Sequence, residues 1–240
     1  MDCRYVKIEK NGVCNTITYH SDKEQNLLTI PGMQEILWAM EECRRDEGCR
    51  VLLFTGWEDC FCMGGFLGDY SRQGSEDIIH FADVLAELHR QMNRFPKPTI
   101  AVVNGHTGGG GLSFLETFDM AVAVPWAEFS LPERYNGLAP MISMMGVQNH
   151  LSRKVCMEMA GLGTKLSAVK AQEAGIINRI SAGEAMEDAM KYGMRMADCN
   201  IHAFRVCKQY YAAASGLSYE QQLEIGKQYL VTMLKSNERK

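Results

Sequence analysis

The chain has 240 residues, enough for one large domain with a sizeable core, and its formal net charge of −4 argues against general binding to nucleic acid or to an anionic membrane. Its nine cysteines are scattered, without zinc-ligand spacing or the density of a disulfide framework, and the first residues, Met1 to Lys7, lack an apolar signal core. We therefore expect a cytoplasmic protein with mostly buried thiols, no bound metal, no cofactor and no membrane span.

The first half of the chain predicts a hairpin followed by alternating helices and strands. Asn11-Gly12 is a strong hairpin signal between two predicted strands. Ser75 is placed to cap a long helix, which Pro96 and Pro98 end. The predicted elements are, in chain order, strands 5–10 and 13–19, helix 32–45, strand 51–56 and helix 75–95.

The second half predicts further strands and then a helical end. The predicted elements are strand 99–103, helix 112–118, strands 120–124 and 128–131, and helices 144–153, 167–174, 184–198, 202–214 and 219–234. Strands that alternate with helices, followed by helices alone, predict an α/β core with a helical C-terminal region.

Four consecutive glycines, Gly108 to Gly111, follow the apolar strand at 99–103. Glycine lets the backbone approach a ligand closely, and free N–H groups at a helix start can hold a phosphate or a developing oxyanion. A phosphate loop would need a lysine after the glycines, and none follows. The spacing fits a dinucleotide fingerprint only in part.

A second glycine pair favours the oxyanion. Gly64-Gly65 lies in a loop after the predicted strand 51–56, about 45 residues before the first cluster. An oxyanion hole needs two backbone N–H groups, and two such loops can each supply one.

With both loops in view, the chain resembles the crotonase (enoyl-CoA hydratase/isomerase) superfamily. The specific part is the order of Lys97-Pro98, Asn104-Gly105 and Gly109-Gly110-Gly111. The matching segments are 51–56 with 61–65, 97–106, 109–111, 118–119, 129–133, 137–138 and 171–177. The resemblance implies a spiral core of β-β-α units over residues 1–180 and a helical region over residues 181–240. In the superfamily the C-terminal helices pack between the subunits of a homotrimer, often paired into a hexamer.

The resemblance also implies roles for four residues. The thioester carbonyl would lie between the backbone N–H groups of Gly65 and Gly110, which stabilise an enolate. Hydratases of the superfamily use two glutamates, whose positions here are Ser113 and Glu133. A serine hydroxyl is no base at neutral pH without help, so the missing carboxylate argues against efficient hydration.

A single carboxylate fits a 1,3-proton shift, in which Glu133 takes a proton from C2 of a 3-enoyl thioester and returns it to C4. This pattern is similar to that of the superfamily's enoyl-CoA isomerases, and the expected substrate is an acyl-CoA or acyl-carrier-protein thioester. Three alternatives stay open: a decarboxylase of carrier-protein thioesters in polyketide β-branching, a hydratase with water held by Ser113 or Glu116, and a non-catalytic scaffold or RNA-associated homologue.

The remaining binding candidates come from the loops that surround this site. Met63 and Met141 fall near the loops expected to form the acyl pocket, where flexible thioethers suit varied chains. Ser113 would contact the substrate from the position of the missing carboxylate. Lys23 lies where relatives often place a basic residue near the nucleotide phosphates.

Three other polar residues, Glu116, His106 and Asp119, lie close to the glycine turn or its helix in sequence. We predict structural roles for all three.

Overall fold

The computed structural model describes residues 3–237. Within this range the strands are β1 (Val6–Asn11), β2 (Cys14–Tyr19), β3 (Val51–Thr55), β4 (Cys60–Cys62), β5 (Thr99–Val103), β6 (His106–Gly108), β7 (Met120–Ala123), β8 (Glu128–Ser130), β9 (Leu166–Ser167) and β10 (Arg179–Ile180). The helices are α1 (Ile30–Arg45), α2 (Ser75–Asn93), α3 (Gly110–Leu115), α4 (Arg153–Leu162), α5 (Ala168–Glu173), α6 (Ala185–Ala197), α7 (Ile201–Ala214) and α8 (Tyr219–Asn237).

The strands form two sheets. The larger has the order β1-β2-β3-β5-β7-β10, in which β1 and β2 are antiparallel and all later neighbours are parallel. Its central strands β3 and β5 are buried at every residue, as continuous apolar runs in a covered parallel sheet should be. The smaller sheet has the order β4-β6-β8-β9, with only β8 and β9 antiparallel.

The helices cover the larger sheet and then extend the chain. α1 and α2 pack against each other, and α6 lies against β3, β5 and β7. α7 and α8 pack together, with the rings of Tyr210 and Tyr229 5.9 Å apart. Between residues 3 and 237, no helix is both long and apolar enough to cross a membrane.

The predicted α/β class is confirmed, and so are the hairpin around Gly12 and most of the predicted elements. Two predictions are wrong. Ser75 is the first residue of α2, and Gly74 occupies the cap position. Residues 144–153 do not form a helix, because Gly146, in a short 3-10 turn over Ser143–Gly146, packs directly on the backbone of Leu112.

The sheet places the two glycine loops side by side. β3 and β5 are parallel neighbours, so the chain leaves both strands at the same edge of the sheet. Asn104, just after β5, accepts a hydrogen bond from Gly56 N at 3.1 Å and donates one to the Glu58 carbonyl at 2.8 Å. The amide of this single side chain therefore ties the loop after β3 to the turn after β5.

Candidate active site

Gly65 and Gly110, from the two glycine loops, lie next to each other. A Cβ built on Gly110 would lie 3.6 Å from the Gly65 nitrogen. Gly110 is the first residue of α3, where the helix leaves its N–H without an intrahelical partner. Among residues 3–237, neither Gly65 N–H nor Gly110 N–H donates to a backbone carbonyl. The structure thus brings together the two predicted amide donors.

Gly109 makes this approach possible. Its backbone has φ 54° and ψ −137°, a conformation that favours glycine. A Cβ there would lie 2.9 Å from the Met63 carbonyl and 3.3 Å from Glu133 Oε1. The absent side chain therefore lets both the early loop and the Glu133 carboxylate come close to the start of α3.

Glu133 lies on a 3-10 turn over Pro132–Asn136, directly after β8. Its Oε1 accepts a hydrogen bond from the Ser143 hydroxyl. Its Oε2 is buried and has no hydrogen-bond partner. Burying a carboxylate oxygen without a hydrogen-bond donor costs folding free energy, and such an oxygen is available to take a proton. Ser143 was missed by sequence reasoning, since it lies one residue before the helix predicted over 144–153 and belongs to no motif.

Ser113 is 1% exposed and contacts a histidine that sequence reasoning also missed. Its Oγ lies 2.9 Å from His89 Nε2 on α2 and 3.0 Å from the Gly110 carbonyl. His89 Nδ1 lies 2.7 Å from the Leu85 carbonyl one turn earlier. Burial lowers the pKa of His89, which favours the neutral imidazole. The position of the missing carboxylate therefore holds a serine–histidine pair.

Lys23 and Met63 line a cleft of about 370 Å³, whose lining does not include Gly65, Gly110, Ser113 or Glu133. Met63 joins the cleft to the glycine loops, because its Sδ would lie 3.1 Å from a Cβ on Gly108. Lys23 Nζ lies 5.3 Å from the centre of the Phe66 ring. The other lining residues carry both signs of charge and include His20, Glu24, Glu58, Asp59, His106, Glu128 and Lys165.

Met141 is 72% exposed and does not line this cleft. It lies two residues before Ser143 in the sequence. Its role in an acyl pocket stays a prediction.

The three residues predicted to be structural all have partners outside the amide pair. Glu116 Oε2 lies 2.8 Å from His150 Nε2. Asp119 accepts a hydrogen bond from Thr99 N at 2.8 Å, and its Oδ2 also pairs with a lysine of α7. His106 N donates to the Asp59 carbonyl at 2.9 Å. Within the described part of the chain, no group of three or more His, Cys, Asp and Glu side chains is arranged to hold a metal ion.

The α/β fold and the paired glycine loops are those of a crotonase-type enzyme. The family model described as Enoyl-CoA hydratase/isomerase matches residues 9–240, and the chain belongs to this family.

Relatives and a solved structure agree with this assignment. The chain is 28% identical over 222 residues to the probable mitochondrial enoyl-CoA hydratase of Dictyostelium discoideum, covering 91% of this chain and 77% of that protein. It is 32% identical over 181 residues to the carnitinyl-CoA dehydratase of Proteus mirabilis, covering 74% of this chain and 69% of that protein. The structure of human enoyl coenzyme A hydratase domain-containing protein 3 is similar with a TM-score of 0.90 at 19% identity, over 97% of this chain and 92% of that one. This last likeness concerns the fold alone.

Proposed function

We propose that this chain shifts the double bond of a 3-enoyl-CoA thioester to the 2,3 position, with Glu133 as acid and base. The observation that carries the proposal is the Glu133 carboxylate. One of its oxygens is held by Ser143, and the other is buried without a partner beside the glycine turn. Position 113 offers a serine rather than a second carboxylate, which fits a reaction that needs one base.

The proton shift uses the amide pair and this one carboxylate. The thioester oxygen accepts hydrogen bonds from Gly65 N–H and Gly110 N–H. Glu133 Oε2 takes the proton from C2, and the electrons of that C–H bond move through C1 onto the thioester oxygen. The resulting dienolate then takes the same proton from Glu133 at C4. The double bond ends between C2 and C3, and Glu133 is again ionised.

The rest of the substrate is placed by the remaining candidates. We assign the coenzyme A portion to the cleft lined by Met63 and Lys23, where the lysine would face the nucleotide phosphates. Ser113 and Met141 would border the acyl chain. An acyl-carrier-protein thioester presents the same reactive group, so the assay below includes both carriers.

Hydration is the second candidate, and two observations favour it. The Dictyostelium and Proteus relatives are named as a hydratase and a dehydratase. Ser113 also contacts His89, which is a basic group when neutral. A decarboxylase of carrier-protein thioesters fits less well, because the enzymes of that type usually lack a glutamate at the position of Glu133.

The exposed apolar side chains of the C-terminal helices support assembly. Tyr211 is 79%, Tyr219 75% and Leu230 58% exposed on α7 and α8. We propose that these helices pack between subunits of a homotrimer or hexamer, as in the superfamily. A cytoplasmic location stays a prediction.

The proposal is tested by giving the purified protein 3-enoyl-CoA and 2-enoyl-CoA thioesters, and the same acyl groups on a carrier protein. We expect conversion of the 3-enoyl to the conjugated 2-enoyl thioester, followed by its absorbance, and exchange of the C2 proton in deuterated water. A folded protein that exchanges no C2 proton and shifts no double bond would contradict the proposal.

Ser143→Ala should lower kcat for the double-bond shift by roughly tenfold, the scale of a hydrogen bond to a charged group. The substitution removes the donor that orients Glu133 Oε1 but leaves the carboxylate in place. KM should change less than kcat. Ser181→Ala is the matched control, because Ser181 is a buried serine that donates to the Asp188 carboxylate at 2.8 Å. An equal loss of kcat in both variants would contradict a positioning role for Ser143.

A further inference from the structure

The contact between His89 and the Leu85 carbonyl fixes which ring nitrogen of the neutral histidine can accept a proton. Nδ1 lies 2.7 Å from the Leu85 carbonyl, which can only accept, so Nδ1 carries a proton. In the neutral ring Nε2 is then an acceptor. The single proton of the Ser113 hydroxyl has two acceptors within reach, this nitrogen at 2.9 Å and the Gly110 carbonyl at 3.0 Å. When the hydroxyl turns to Nε2, the histidine can take a proton through the serine.

The surroundings of His89 keep the ring neutral. Burial is the main cause that lowers its pKa, and the Leu85 carbonyl opposes it. The groups that face it from α3 are Ser113 and the Phe114 ring, which carry no charge. On α2 itself Glu87 and Arg90 pair with each other at 2.7 Å on the exposed side. No charged group among the described residues contributes to the shift.

We propose that His89 makes Ser113 the second proton-transfer group of this site, a base that activates water for addition to C3 of a 2-enoyl thioester. The inference rests on the thioester site proposed above but does not require the double-bond shift. It places a serine–histidine pair where hydratases of the superfamily have a carboxylate.

Water addition begins with attack on C3. An O–H bond of water breaks while its oxygen bonds to C3. The water proton passes to Ser113 Oγ, and the hydroxyl proton of Ser113 passes to His89 Nε2. The C2–C3 π electrons move onto the thioester oxygen between Gly65 and Gly110. The enolate then takes a proton at C2 from the carboxyl group of Glu133, and the imidazolium returns a proton to Glu133 through solvent.

The two reactions need different protonation states of Glu133 and His89, so the ratio of their rates should depend on pH. The double-bond shift needs Glu133 ionised, whereas water addition needs Glu133 protonated and His89 neutral. Per unit of rising pH, protonated Glu133 falls about tenfold relative to ionised Glu133, while below the pKa of His89 the neutral fraction of His89 rises about tenfold. These two changes cancel below that pKa. The ratio of hydration to isomerisation therefore varies with pH in the same way as the protonated fraction of His89. It is level below the pKa of His89 and falls about tenfold per pH unit above it. Since burial lowers the pKa of His89 from its ordinary value, the ratio should already be falling at neutral pH.

The test measures both activities, with 2-enoyl-CoA and 3-enoyl-CoA, in His89→Gln and Ser113→Ala. Gln can accept the Ser113 hydrogen bond but cannot take its proton. The hydration-to-isomerisation ratio at about pH 6 should fall at least about 10²-fold in both variants, the usual scale for a general base. His150→Gln is the matched control, because His150 contacts Glu116, the residue directly after α3. It should leave the ratio within about twofold of wild type.

Other results of these assays would contradict the inference or separate it from the isomerase proposal. A ratio that is equal in wild type and His89→Gln, or that does not fall as the pH rises from about 5 to 8, would overturn the inference. Wild type that isomerises but hydrates nothing over that range would overturn it too, while leaving the isomerase proposal intact. If the wild type hydrates a 2-enoyl-CoA in a way that depends on His89 but shifts no double bond, the result would support the inference and contradict the isomerase proposal.

Discussion

Glu133→Gln should lower the rate of the double-bond shift by at least about 10²-fold. The amide keeps the shape of the side chain and can still accept the hydrogen bond from Ser143, but it cannot take the C2 proton at neutral pH. Binding of the thioester should persist, because Gly65 and Gly110 still hold its oxygen. The measurement is kcat with a 3-enoyl-CoA, together with C2 proton exchange in deuterated water.

Glu116→Gln is the control for this experiment. Glu116 follows α3 directly, but its carboxylate pairs with His150 rather than facing the amide pair. We expect kcat within about threefold of wild type, since a partly exposed histidine–carboxylate contact of this kind contributes little. If Glu133→Gln keeps most of the activity while Glu116→Gln loses it, the base has been assigned to the wrong glutamate.

The glycine loops were predictable because their chemistry is local. A run of glycines after a buried strand, at the start of a helix, indicates close approach of the backbone, either to a ligand or to a neighbouring segment such as Cys62, which packs on Gly111. The structure brings together Gly65 and Gly110, the two predicted amide donors, and it also places Glu133 next to Gly109. Which reaction these groups catalyse depends on what else faces them, and that information is not local.

The two residues that sequence reasoning missed illustrate this point. His89 is 24 positions before Ser113 and on another helix, so no motif joins them, and only the packing of α2 against α3 makes the contact. Ser143 directly precedes a helical pattern over 144–153, and no motif marks it. There the close packing of Gly146 on the backbone of α3 overrides the local preference and produces a 3-10 turn. Tertiary contacts therefore decide both partners of the acid/base groups.

Gly110→Pro should lower turnover by roughly 10²- to 10³-fold or more, because it removes one of the two N–H donors to the enolate oxygen. The helix itself should tolerate the change. Gly110 is the first residue of α3, a position where proline's fixed φ is compatible with the helix and its missing N–H breaks no intrahelical hydrogen bond. The measurement is kcat/KM with a 3-enoyl-CoA, with circular dichroism to show that the variant is folded.

Gly110→Ala separates the lost donor from added bulk. It keeps the N–H group, and its Cβ would lie 3.6 Å from both Gly64 Cα and Gly65 N, which is ordinary van der Waals contact. We expect it to keep most of the activity, whereas Gly65→Ala would place a Cβ 2.5 Å from the Phe81 ring and is a poorer control. A folded Gly110→Pro protein with nearly wild-type turnover would show that the Gly110 amide does not hold the thioester oxygen. An inactive Gly110→Ala beside an inactive Gly110→Pro would instead point to steric exclusion of the substrate, because only the second variant lacks the donor.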